Sequence, residues 1–249
     1  MRRRQCGMMA AMLATALSAA AETAPMADAP GWRWMVSPMA GADRNELKMR
    51  TPMGPVTVTD NGPEYGLVVM ALHPNVVVNN FFFYSDVNDC DVWGDLFFAN
   101  YYADAKSAVT WNAGVGYLWH EIKPEGAEIK VNVPMIKAGP VFRVKAWHLF
   151  LNPYLGYGWE RVDSPGGEQD NDSFLYGLTA AWRWRMLEAG VNYYYQDSQD
   201  LDPDEDFNVL RARLIAMVNR TWGVSARVDY MEHSTSDDFS GLIGPVWMF

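Results

Sequence analysis

Val109-Thr110-Trp111-Asn112-Ala113-Gly114-Val115-Gly116-Tyr117-Leu118-Trp119 changes character at almost every step. Successive side chains of an extended chain point to opposite sides, so Val109, Trp111, Ala113, Val115, Tyr117 and Trp119 share one face. Thr110, Asn112, Gly114, Gly116 and Leu118 share the other. The same period of two recurs downstream. One face carries Trp147, Leu149, Leu151, Pro153, Leu155, Tyr157 and Trp159; the next segment carries Phe174, Tyr176, Leu178, Ala180, Trp182 and Trp184. Leu187 to Tyr195, Leu210 to Val218 and Trp222 to Tyr230 repeat it. Dyad repeats of this length read as strands that bury one face in apolar surroundings.

Alternation alone does not say what the apolar face touches, since a periplasmic sandwich or a lipocalin-like barrel alternates too. Three features choose between them. The second face is rich in Gly, Ser, Thr and Asn with isolated Arg and Glu, which suits a crowded interior better than open solvent. Aromatic residues stand at both ends of the apolar face. Trp147 and Trp159 would lie roughly 30 Å apart along a membrane normal, taking about 3.3 Å per residue and a tilt near 40°. Phe174 and Trp184 give roughly 25 Å, the height of an apolar band between two aromatic girdles. Connectors also alternate, with tight joins near 104–106, 144–146, 184–186 and 219–221. Longer polar ones are expected over 121–130, 162–173, 197–206 and 233–239.

Composition narrows the classes. Of the 249 residues 49% are hydrophobic, yet no run after the N-terminal segment approaches the eighteen or so that a membrane helix needs. Closed barrels are the other structure that satisfies every backbone group in hydrocarbon. Arg2, Arg3 and Arg4, the apolar run Gly7–Leu17 and the small residues Ser18 to Ala21 read as a secretory signal, 1–21, cleaved near Ala21. One domain, 22–249, follows, with 22–63 read as an N-terminal strand plus a long loop. The net charge of −10 becomes more negative once three arginines leave with the signal. Such an acidic chain argues against a nucleic-acid partner. Of the two cysteines only Cys90 lies beyond the signal, so no internal disulfide is expected.

The last strand reads Gly241-Leu242-Ile243-Gly244-Pro245-Val246-Trp247-Met248-Phe249, with Ile243, Pro245, Trp247 and Phe249 on one face. Here the sequence resembles the bacterial outer-membrane β-barrel superfamily, whose final strand commonly ends in Phe. The resemblance implies placement in the cell outer membrane among its lipids. It further implies recognition of Trp247 and Phe249 by the barrel-assembly machinery. Pro245 removes a ladder donor and is expected to weaken the closing seam. Working back from Phe249, strands are expected near 240–249, 221–232, 207–218, 186–196, 174–184, 147–161, 132–143, 107–120, 94–103, 75–84, 64–72 and 32–40. The fold expected is all-β, a transmembrane antiparallel up-and-down barrel of twelve strands, or ten with a tucked N-terminal segment, and monomeric.

Extending the alternation inward points Lys137, Arg143, Arg183, Arg211, Arg213 and Arg227 into the lumen, with Glu160, Glu188 and Asp229. Buried charges are costly unless paired, so these read first as an Arg–carboxylate network filling a closed interior. The alternative is a narrow path whose excess of arginine favours anions. Acidic residues crowd two connectors, Asp197 to Asp206 and Asp163 to Asp172. Carboxylates suit calcium, but Glu205 stands where an EF-hand loop needs Gly, so no metal site is assigned. His233, beside Glu232 and near Asp229, Ser234 and Ser236, is the one place where an acid–His pair could serve a hydrolase. No nucleophile motif, phosphate loop or dinucleotide motif accompanies it, and neither a cofactor nor a catalytic residue is assigned.

Overall fold

The computed structural model describes residues 31–51, 54–87, 90–124, 127–198, 206–233 and 236–249. The expected signal and its cleavage site lie outside them, as do Asp200, Asp202, Asp204, Glu205 and Ser234. Twelve strands follow in chain order: β1 (Arg33–Thr51), β2 (Gly54–His73), β3 (Val76–Val87), β4 (Cys90–Tyr102), β5 (Val109–Pro124) and β6 (Ile129–Val144). They continue as β7 (Leu149–Ser164), β8 (Gly167–Trp184), β9 (Leu187–Ser198), β10 (Phe207–Met217), β11 (Trp222–His233) and β12 (Ser236–Met248). Each pairs antiparallel with the next, and β12 returns to pair with β1, closing a barrel. The count is even and no edge remains, so every strand finds ladder partners on both sides within the barrel wall.

Two expectations about connectors are corrected. The segment 41–63 is not a loop: β1 and β2 pair from Arg33↔Leu72 to Thr51↔Gly54. β2 meets β3 only from Glu64 to His73. Above Glu64 no third strand pairs with it among the described residues, so Pro55 and Pro63 forfeit no ladder bond there. Likewise 162–173 is mostly strand, since β7 and β8 run up to Ser164↔Gly167 and turn over two residues with Gly167 at φ +119°. Asp163 and Glu168 face each other across that hairpin and flank Arg161, which lies 3.6 Å from Asp163 and pairs with Glu168. At the opposite end Trp147 closes a 3-10 turn, Lys145–Trp147, rather than opening β7, and His148 follows in a left-handed conformation.

The outer surface is apolar between two aromatic belts. Ten of the eleven tryptophans are exposed, from Trp182 at 39% to Trp147 at 69%, and Trp119 is half-buried. None faces the interior. Between the belts stand Val115, Ile136, Leu155, Leu178, Leu214, Val228 and Ile243, all exposed. In water this surface would be a severe liability; in lipid it is the solvated face.

The closing seam has an unusual local structure. Trp34 and Phe249 exchange both backbone hydrogen bonds, at 3.1 and 2.9 Å. Alternate pairs along an antiparallel ladder are hydrogen-bonded, and the register carries Pro38 opposite Pro245 at such a position. The ladder breaks there, between Val36↔Trp247 and Ala40↔Ile243. Ser37 Oγ supplies a donor from the lumen side, at 2.8 Å from the Pro245 carbonyl. The arrangement recurs half a barrel away. Pro140 on β6 stands opposite Pro153 on β7 in a break between Ala138↔Leu155 and Phe142↔Leu151, and Asn152 Nδ2 donates to the Pro140 carbonyl at 2.9 Å. At both breaks the strands approach over a glycine. A Cβ on Gly244 would lie 1.9 Å from the Pro38 oxygen, and one on Gly139 2.0 Å from the Pro153 oxygen. The run Gly-Pro-Val appears three times, on β2 (54–56), β6 (139–141) and β12 (244–246), and Tyr-Gly-Leu appears on β2 (65–67) and β8 (176–178).

Candidate functional site: the barrel interior

Strand alternation places the second face of every strand inside. On β8 to β11 that face carries charge. Glu188 accepts from Arg183 and from Arg213, the latter at 3.1 Å. Asp229 lies 3.3 Å from Arg211 and 2.6 Å from Arg227. Arg211 is 2% exposed, and neither Nη1 nor Nη2 has a hydrogen-bond partner among the described residues. Arg227 also stacks over the Phe81 ring at 4.0 Å from its centroid, so the guanidinium gains contact with an aromatic face as well as a carboxylate.

The remaining interior candidates lie elsewhere. Lys137 is buried, with its ammonium 4.8 Å from the Tyr154 ring and 5.2 Å from Phe98. Glu160 is buried on β7. Arg143 belongs to the turn-side mouth: it donates to the Asp104 and Ser107 carbonyls and lies over Tyr102 and Phe150, tying two turns together. The geometry therefore joins Arg183, Glu188 and Arg213 in one cluster and Arg211, Arg227 and Asp229 in another, and leaves Lys137, Glu160 and Arg143 outside both.

The small-residue, ion-bearing interior expected from the sequence is corrected for half of the barrel. From β2 to β7 large apolar side chains take up much of the inward face: Met70, Phe81, Leu96, Phe98, Leu118, Tyr102, Phe150 and Tyr154 are all 5% exposed or less, with Glu64, His120, Lys137 and Glu160 buried among the same strands. Phe81 stacks on Phe83, which meets His120 edge-on at 5.0 Å. Glycines on the inward face make room for this packing; a Cβ at Gly94 would lie 2.1 Å from the Phe83 ring and one at Gly177 2.2 Å from Tyr154. These strands hid their interior residues from the pattern. Val76-Val77-Val78-Asn79-Asn80-Phe81-Phe82-Phe83-Tyr84 is apolar on both faces, so its period of two is muted.

At the outer end of the lumen the structure assembles a group the sequence reading did not single out. Asp43 of β1, Glu64 of β2 and Asp238 of β12 line one cavity with Asp229, Ser85 and Ser240. His233 is buried in the interior, whereas Glu232 is exposed on the opposite face of β11, so these two neighbours do not form an acid–His pair. Among the described residues no three His, Cys, Asp or Glu side chains converge closely enough to hold an ion directly.

No protein-family model and no curated protein matches this sequence. Solved structures do match. The translocator domain of the autotransporter NalP from Neisseria meningitidis superposes with a TM-score of 0.54 at 14% identity, over 89% of this chain and 90% of that one. The transport unit of the autotransporter AIDA-I from Escherichia coli gives 0.52 at 12% identity, over 99% of each chain. The chain thus has the fold of the bacterial outer-membrane β-barrels. With its lipid-suited exterior, it is a membrane barrel of twelve strands.

Proposed function

We propose that this protein is a closed scaffold of the bacterial outer membrane, monomeric, whose lumen is filled by its own side chains and whose working surface is the rim outside the bilayer. The observation that carries this reading is the packed interior: Phe81, Leu96, Leu118 and Tyr194 show no exposure and Phe150 only 2%. Twelve strands leave space that has to be either filled or wet, and here aromatic rings and two Arg–carboxylate clusters occupy it. The two neighbours are a translocator domain and a transport unit; a path through the barrel needs an open lumen, which the packed rings oppose. An anion path lined by Arg211 and Arg213 would require the same rings to move. The separation of His233 from Glu232 on opposite faces of β11 gives no support to a hydrolytic site there.

The test is single-channel recording in planar bilayers with the refolded protein. Silence at all applied voltages is expected. Regular conductance steps, abolished by Arg211→Glu with Arg213→Glu, would establish the anion channel instead. The final strand carries a second part of the reading. Trp247 and Phe249 are 41% and 73% exposed on the lipid side, in keeping with recognition by the barrel-assembly machinery. Deleting Phe249 is expected to lower the folded yield in membranes without altering refolding from urea into detergent.

A further inference from the structure

Three carboxylates at the outer end of the lumen are buried without a cationic partner. Asp43, Glu64 and Asp238 are 6%, 6% and 9% exposed, and no ion pair reaches any of them among the described residues. One oxygen of each, Asp43 Oδ1, Glu64 Oε2 and Asp238 Oδ1, has no hydrogen-bond partner. Their neighbour Asp229 differs: it holds both Arg211 and Arg227. Ser85 donates to the second oxygen of Asp43 at 3.0 Å, which orients that carboxylate but brings no positive charge. Removing three carboxylates from water costs several kcal/mol each unless their charge is met. A cation between them, or a proton on them, meets that charge.

The space between them has a definite size. All three line a cavity of about 40 Å³, together with Ser85, Asp229 and Ser240. One water needs about 10–15 Å³ on this measure, so an ion with part of its water shell fits. Its oxygen donors are carboxylates and hydroxyls, the set that hard divalent cations prefer, and Phe83, Val209 and Met231 complete the lining. The carboxylates surround the cavity rather than converge on a point, which suits an ion that binds partly through retained water. We propose that this cavity binds one divalent cation of the magnesium or calcium class. Asp43 pairs with Ser240, next to the exposed aromatic Phe239, so the cavity sits at the level of the outer girdle. Its ligands come from β12, β1 and β2, which places the ion across the closing seam.

Occupancy therefore braces the seam. The full mature chain, refolded in detergent and stripped with chelator, is titrated with calcium or magnesium chloride against sodium chloride at matched ionic strength. Calorimetry is expected to show one saturable site, and the unfolding rate followed by tryptophan fluorescence to fall at least tenfold at saturation. Asp43→Asn with Asp238→Asn should weaken binding at least tenfold and abolish the slowing, while Asp237→Asn, on the outer face, should retain both. If the double variant does not refold, Glu64→Gln provides the same comparison. Absence of saturable binding, or binding unchanged in the variants, overturns the proposal. So does stabilisation by acid alone, since protons on the carboxyls would then take the place of the cation.

Discussion

Pro38 of β1 stands opposite Pro245 of β12 at a position where two other residues would exchange a pair of backbone hydrogen bonds. Both strands lose a donor at the same point, and the orphaned carbonyl of Pro245 is met by the Ser37 hydroxyl at 2.8 Å. Asn152 does the same for Pro140 on the far side of the barrel. Each substitute donor is buried. Ser37→Ala and Asn152→Ala are each expected to cost about 1–3 kcal/mol, the penalty of a buried acceptor left unpaired. Gly139→Ala and Gly244→Ala should cost more, because the new Cβ overlaps backbone that has no room to yield. Equilibrium urea unfolding in detergent measures all four; unchanged midpoints for the first two would mean that the breaks are not bridged as described.

The Glu188 cluster makes a second prediction. Glu188→Gln leaves Arg213, whose side chain is 8% exposed, and the more open Arg183 without their shared carboxylate. Breaking a buried pair by removing one partner costs about 3–5 kcal/mol, whereas replacing both by apolar groups of similar size is often neutral. Glu188→Leu combined with Arg213→Met should therefore recover most of the loss. A double-mutant cycle reads the coupling directly, and strictly additive changes would show that the two side chains do not interact.

Leu214 tests the outer face. It is 48% exposed and pairs with Ala226, midway between the exposed rings of Trp222 and Tyr230 on β11. Leu214→Arg places a charge near the middle of the hydrocarbon and is expected to cost about 2–4 kcal/mol in lipid vesicles. The same charge near a girdle, as Tyr230→Arg, should cost far less. Equal effects at the two positions would argue against a membrane band at this height.

Much of the fold is legible in the chain because lipid and lumen impose opposite demands on neighbouring residues. Where the inner face is Gly, Asn or Arg, as along β5 and β8 to β11, the alternation stands out and the strands emerge. It fades in β2 to β4, where Phe81, Phe83 and Leu96 face inward against equally apolar residues facing out. There the lumen packing is a property of the closed barrel that no single strand announces. The 41–63 segment is hard to read because proline is depleted in strands, whereas Pro55 and Pro63 pair with β1 above the level at which β2 meets β3. The arginines and Glu188 were visible as inward positions. The Asp43, Glu64 and Asp238 group was not, since its members are brought together only by closure of β12 onto β1. The three Gly-Pro-Val runs carry a signal that a search for short repeats finds, with two of them marking the proline breaks on β6 and β12.

The claim beneath all of this is that the aromatic and aliphatic face looks into lipid. All eleven tryptophans of the chain lie on it, so their fluorescence reports it without labelling. With the protein refolded into vesicles, phospholipids brominated along their acyl chains should quench most of the emission, and aqueous acrylamide little. Emission indifferent to bromolipid but readily quenched by acrylamide, from a chain still folded, would contradict the account.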